Sequence, residues 1–169
     1  PQRFVAWGMS AGGHLASIVG VTGDRELEGD LGSADQSSSV EGVISWYGPS
    51  ELSSMGRNSI VDHDEPGSPE AQLVGGPVPE SPEEVASASP ARYVDGRPLP
   101  PFLLVHGTVD PIVPHGQSVL LHDALTSLGG SSTLVDVRLG THVDLRLNTG
   151  ACRRAAELFL DEICHPDRG

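Results

Sequence analysis

Apolar residues cluster along this chain in short compact runs, separated by stretches where they recur every three or four positions. Phe4-Val5-Ala6-Trp7 is an unbroken apolar run closed by Gly8 and predicts a buried strand. Residues 11–20, carrying Leu15, Ile18 and Val19, predict a helix. Val43-Ile44-Ser45-Trp46-Tyr47, closed by Gly48-Pro49, and Phe102-Leu103-Leu104-Val105, closed by His106-Gly107, predict two further strands. Over residues 117–128, Leu120, Leu121, Ala124, Leu125 and Leu128 share one helical face. Gln117, Ser118, His122, Asp123, Thr126 and Ser127 take the other, and Gly129-Gly130 stops the helix. Residues 133–139 alternate, with Thr133, Val135, Val137 and Leu139 on one side and Asp136 and Arg138 on the other, as in a strand near a sheet edge. A last helix is predicted over residues 151–164, with Cys152, Ala155, Ala156, Phe159 and Ile163 as its stripe.

Strands alternating with helices predict an α/β domain on a parallel sheet, and 169 residues suit one such domain over 1–169. One stretch breaks the alternation. Residues 49–101 hold ten of the fourteen prolines and offer only 71–74 and 85–88 as short helices. A connection this long is usually functional, so it is expected to form a lid or pocket wall beside the site.

Charge narrows the partners. Ten basic against 23 acidic residues give a net charge of −13, which argues against nucleic acid or an anionic lipid surface. No apolar run approaches the roughly 18 residues that a membrane helix needs. Cys152 and Cys164 stand about 18 Å apart on one predicted helix, too far for a disulfide. No Cys-His cluster has the spacing of a structural zinc site, so no metal is expected. No signal peptide is visible, and a chain whose first apolar run starts this early is silent about any leader.

Gly8-Met9-Ser10-Ala11-Gly12 is a G-x-S-x-G motif between a predicted strand and a predicted helix. That setting gives the pattern a mechanism: the serine occupies a sharp, strained turn that lifts its Oγ above the sheet. Side chains two before and two after Ser10 are expected to collide, which accounts for Gly8 and Gly12. The Ala11 N–H, at the start of the helix, points where an oxyanion would form.

A serine hydroxyl is a weak nucleophile without a base, and seven histidines are available. His14 is expected to pack against neighbouring elements and His106 to hydrogen-bond within its loop. His115, His122 and His165 are expected to be solvated. His63, in Asp62-His63-Asp64-Glu65, is expected in a solvated acidic loop rather than on a metal. His142 alone follows the last strand, in Leu139-Gly140-Thr141-His142, on the face where the Ser10 turn opens, and is the candidate base. Asp110, on the loop leaving the third strand, keeps the order Ser, Asp, His and is the candidate acid. Its carboxylate would fix the His142 tautomer and stabilise the imidazolium. Asp144 is too near His142 in sequence to orient its ring.

Several segments together resemble the α/β-hydrolases. They are Trp7-Gly8-Met9-Ser10-Ala11-Gly12-Gly13-His14-Leu15-Ala16, Trp46-Tyr47-Gly48-Pro49, Pro69-Glu70-Ala71-Gln72-Leu73-Val74-Gly75-Gly76, Ser89-Pro90, Pro101-Phe102-Leu103-Leu104-Val105-His106-Gly107-Thr108-Val109-Asp110 and Thr141-His142. The chain looks like the C-terminal half of a bacterial esterase or lipase-like protein, of the group that includes feruloyl esterases and kynurenine formamidase relatives. The resemblance implies a parallel-sheet α/β-hydrolase fold. It also implies hydrolysis of a small-molecule ester through an acyl-enzyme on Ser10, with Asp110 and His142 as partners and no metal or organic cofactor. Amide or formamide hydrolysis is the alternative within enzymes.

Two departures stand out. The Gly-rich turn before the histidine is reduced to Gly140-Thr141. The strands that family members carry before the serine turn, with a His-Gly-Gly loop supplying further oxyanion N–H groups, have no counterpart; Gly75-Gly76 and Gly129-Gly130 lie elsewhere. The first strand would then be a raw edge, so a homo-oligomer or pairing with a missing N-terminal half is expected. A second class of function is a non-catalytic hydrolase-like subunit that binds a partner or small molecule across that gap. The intact Ser, Asp, His order favours the enzyme.

Overall fold

In the computed structural model, which describes residues 3–24, 27, 29, 32–33 and 35–166, four strands pair in parallel in the order the chain makes them. They are β1 (Val5–Met9), β2 (Gly42–Trp46), β3 (Phe102–Gly107) and β4 (Ser132–Val137). β2 and β3 are buried along their whole length, which is why they read as solid apolar runs. Ile44, Trp46, Leu103 and Val105 face one side, where they pack with Val137, Leu147 and α5 (Gly150–Cys164) through Cys152 and Ala156. Val43, Phe102 and Leu104 face the other side, against α1 (Ala11–Thr22) and α4 (Gly116–Ser127) through Ala16, Val21, Leu121 and Leu125. The result is helices on both faces of a parallel sheet, as the alternation of strands and helices predicts and the resemblance to the α/β-hydrolases implies.

The differences from the sequence expectation are local and share a cause. On α1 the buried face is Gly13, His14, Ala16, Ser17, Gly20 and Val21, while Leu15 (59 % exposed) and Val19 point away. Close packing on the sheet selects small residues: a Cβ at Gly20 would come within 2.3 Å of a Val43 methyl. On α4, Leu121 and Leu125 are buried but Leu120 and Leu128 are not, and Gln117 and Ser118 lie inside. Gln117 Oε1 accepts the Ser50 and Glu51 N–H groups at 2.8 Å each, tying the chain after β2 to the start of α4. β4 ends at Val137, and Leu139 turns out to solvent at φ 56°.

Residues 49–101 form α2 (Pro69–Val74), α3 (Pro82–Ser87) and short 3-10 turns at Leu52–Ser54, Val78–Glu80 and Pro90–Tyr93. Leu52, Met55, Val78 and Val85 make a small core there with Val113. Among the described residues β1 has a strand neighbour on one side only, and Phe4 before it and Trp7 and Met9 along it are exposed. Cys152, buried, and Cys164, exposed, are both free thiols. No described helix is long and apolar enough to cross a membrane.

Candidate active site

β1 ends at Met9 and α1 begins at Ala11, so Ser10 alone makes the turn. Its backbone sits at φ 53°, ψ −122°, a region costly for any residue with a side chain and held only where the surroundings enforce it. One enforcing contact is its own N–H, which donates to the Trp46 carbonyl at 2.9 Å. Ser10 occupies the N-cap of α1 but does not cap it. Its Oγ donates instead to His142 Nε2 at 2.9 Å. Ala11 is thus the first residue of a helix whose terminus carries no side-chain cap, and its N–H lies beside the hydroxyl that would react.

The glycines flanking the turn have different reasons. A Cβ at Gly8 would lie 2.0 Å from the Gly12 carbonyl oxygen, a contact that backbone cannot relieve. A Cβ at Gly12 would meet nothing within 4 Å. The collision expected at both positions therefore exists at one, because it is the Gly12 backbone, not its side-chain space, that fills the room beside Gly8.

Asp110 leaves the end of β3 and His142 follows β4. The two loops are sewn together: Thr108 N–H donates to Val137 O at 3.0 Å, Val109 N–H to Gly140 O at 3.1 Å, and Leu139 N–H to Thr108 Oγ1 at 2.9 Å. Asp110 Oδ2 accepts from His142 Nδ1 at 2.7 Å. A carboxylate only accepts, so Nδ1 carries the ring proton and Nε2 presents its lone pair to Ser10. Asp110 Oδ1 accepts the Ile112 and Val113 N–H groups at 2.9 and 3.0 Å. Burial alone would raise the Asp110 carboxyl. Hydrogen bonds from His106, His142 and Ile112, with the His142 charge, outweigh it and hold the group well below the usual carboxylate range. Asp144 is engaged elsewhere, with Arg146, whose hydrogen bonds keep its carboxyl low.

Two residues that the sequence did not place in the site border this line. His106 Nε2 donates to Val113 O at 2.9 Å and lies 3.3 Å from Asp110 Oδ2, while its Nδ1 meets Ser118 Oγ at 2.7 Å. It shapes the loop as expected and also touches the acid. Tyr47, at φ 44°, sets its ring edge-on to His142 with centroids 4.7 Å apart. Burial first, then the Asp110 charge, push its phenol up. Ser10, Tyr47 and Leu139, following β1, β2 and β4, all have positive φ without being glycine. The available signal was a large residue before glycine at the strand ends, Tyr47-Gly48 and Leu139-Gly140.

The remaining histidines divide. His14 Nε2 donates to the Ala88 carbonyl at 2.7 Å, so it packs as expected. His115 pairs with Asp136, His122 with Ser132 and His165 with Asp161. His63 corrects the expectation of a solvated loop: it is 3 % exposed and lies against Glu70. Beside the serine turn a cavity of about 220 Å³ is walled by Ala11, His14 and Leu15 from α1 and by Pro49, Leu52 and Leu73 from the following stretch. Among the described residues no group of three or more His, Cys, Asp and Glu could hold a metal ion.

Comparison with known proteins adds the following. The BD-FAE family model matches residues 1–125. Esterase LipC of Mycobacterium tuberculosis is 31% identical over 170 residues, covering 96% of this chain and 41% of LipC. The truncated form of a carbohydrate esterase from gut microbiota superposes with a TM-score of 0.86 at 30% identity, over 97% of this chain and 61% of that one. Esterase 2 of Thermogutta terrifontis, phosphonylated by sarin, superposes with a TM-score of 0.71 at 27% identity, over 96% of this chain and 58% of its own. The chain thus spans about two fifths of LipC and less than two thirds of either structure.

Proposed function

Since the chain belongs to the BD-FAE family and has an α/β-hydrolase fold, we propose that it carries the reacting residues of a carboxylic-ester hydrolase working through an acyl-enzyme. The observation that supports this best is the unbroken line from Asp110 through His142 to Ser10, at 2.7 and 2.9 Å. In this reading Ser10 Oγ attacks the ester carbonyl carbon while its proton passes to His142 Nε2. Asp110, kept ionised, stabilises the imidazolium. The oxyanion that forms is held by the Ala11 N–H at the α1 terminus. Collapse returns the proton to the leaving alcohol, and water then repeats the sequence on the acyl-Ser10 ester. The likeness to a carbohydrate esterase supports an acylated carbohydrate as the substrate class.

The exposed β1 edge supports a further part of the proposal: in the working protein another chain or further strands cover it. Sedimentation addresses this part, with association expected and a stable monomer counting against it. For the chemistry, Ser10→Ala is expected to lower p-nitrophenyl acetate hydrolysis by a factor on the order of 10⁶. An unchanged rate would remove Ser10 from the reaction.

A further inference from the structure

Two buried ionisable side chains take no part in the chemistry above. His63 and Glu70, 8 % exposed, both come from the stretch between β2 and β3, Glu70 from the first turn of α2. His63 Nδ1 stands 3.0 Å from Glu70 Oε2, although neither atom has an aligned hydrogen bond. On its other side His63 Nε2 donates to the Ile112 carbonyl at 2.9 Å. The Ile112 N–H in turn donates to Asp110 Oδ1 at 2.9 Å. Contacts therefore run without a break from Glu70 through His63, Ile112 and Asp110 to His142 and Ser10. Neighbours of His63 grip the same loop: Ile60 N–H donates to Pro111 O at 2.8 Å, and Ser59 Oγ lies 2.9 Å from Ile112 O and 3.1 Å from His63 Nε2.

We propose that His63, backed by Glu70, is a positioning residue: it holds the 110–113 loop so that Asp110 keeps both backbone donors and presents Oδ2 to His142. The Ile112 carbonyl only accepts, so in this contact the proton sits on His63 Nε2, with Ser59 Oγ 3.1 Å from that nitrogen sharing the acceptor, and the Glu70 carboxylate beside Nδ1 sets the ring's orientation. The working contact differs from that of His142: His142 Nε2 accepts from Ser10, whereas His63 Nε2 donates to the Ile112 carbonyl. What Asp110 does in catalysis rests on the esterase reading; the hold on its loop does not. Glu70 also lines the cavity beside Ala11, which places the pair between that cavity and the acid.

The test compares His63→Leu, which keeps bulk and loses the donor, with His63→Gln, whose amide N–H can reach the same carbonyl, and with Glu70→Gln. Three readouts apply: kcat and KM on p-nitrophenyl acetate, thermal melting, and the downfield proton NMR signal of His142 Nδ1–H. His63→Leu is expected to lower kcat about 10–100-fold with KM held within about twofold. It should also shift or broaden the His142 signal. His63→Gln should restore most of both, and Glu70→Gln should fall between. If His63→Leu does not fold, the two glutamine variants carry the test. A His142 signal unchanged in every folded variant overturns the proposal, as does a kcat loss that only tracks early melting. The NMR signal needs no turnover, so an inactive wild-type chain would refute the esterase reading without touching this one.

Discussion

At the β3–β4 flank each polar atom of the site is engaged. Asp110 accepts from Ile112, Val113 and His142, His106 is bonded at both ring nitrogens, and the two loops are stitched by three backbone donors. At the β1–α1 flank, Phe4 before the strand, Trp7 and Met9 on it and Leu15 and Val19 on the helix face outward. In the proposed reaction the oxyanion would have the Ala11 N–H to bind there. The contrast shows that the Asp110–His142 side is assembled by these residues among themselves. The Ala11 side lies on a surface that exposes several large apolar residues, the character of an interface. A proton relay can be built from two adjacent loops, whereas an oxyanion hole needs donors that converge from both sides of the nucleophile.

Asp110→Asn strikes the Asp110–His142 side. It should lower kcat by about 10⁴-fold by leaving His142 with the wrong tautomer, while the fold persists. Steady-state kinetics with melting as control checks it; a loss below about tenfold would mean that Asp110 does not orient His142.

The β1–α1 side is probed by concentration. If covering the β1 edge supplies a second oxyanion donor, activity per subunit should rise on association by up to about 10²–10³-fold. Turnover followed alongside sedimentation reads this directly. Activity independent of association would contradict it, and charged substitution at Trp7 should abolish the rise without unfolding the sheet.

Stability draws a finer line across the serine turn. Gly8→Ala drives a Cβ into backbone and should cost about 1–3 kcal/mol or more. Gly12→Ala, with open space around it, should be within about 1 kcal/mol of neutral. Denaturant titration of the pair checks whether the collision is one-sided.

The smallest effect is on pH. The folded-state Asp110 carboxyl lies below its usual value. Its contribution to stability is therefore complete above the unfolded value of about 3.9 and fades as pH falls toward the folded one. The melting difference between wild type and Asp110→Asn should accordingly hold from about pH 7 to about pH 5 and shrink as pH falls below about 4. A difference that grows toward acid would contradict the sign.

What the residues revealed beforehand follows from how local each feature is. The four strands, the turn at Ser10 and the order Ser10, Asp110, His142 were legible because apolar runs and the strand–turn–helix motif are written in adjacent residues. The exposed faces of α1 and α4 were not legible. Periodicity marks which residues share a face, not which face meets the sheet, and α1 buries small residues while Leu15 and Val19 face outward. His63 escaped for a related reason. Its acidic neighbours Asp62, Asp64 and Glu65 read as a solvated loop, yet Ile112 and Glu70, distant in sequence, enclose it.

The account stands on Ser10 being an activated nucleophile, and reaction with a fluorophosphonate probe tests that most directly. After labelling of the wild-type chain, mass spectrometry of its peptides should place the phosphonyl group on Ser10. The label should be absent from Ser10→Ala and strongly slowed in Asp110→Asn. Labelling at another residue, or no labelling of a correctly folded and associated protein, would contradict the account.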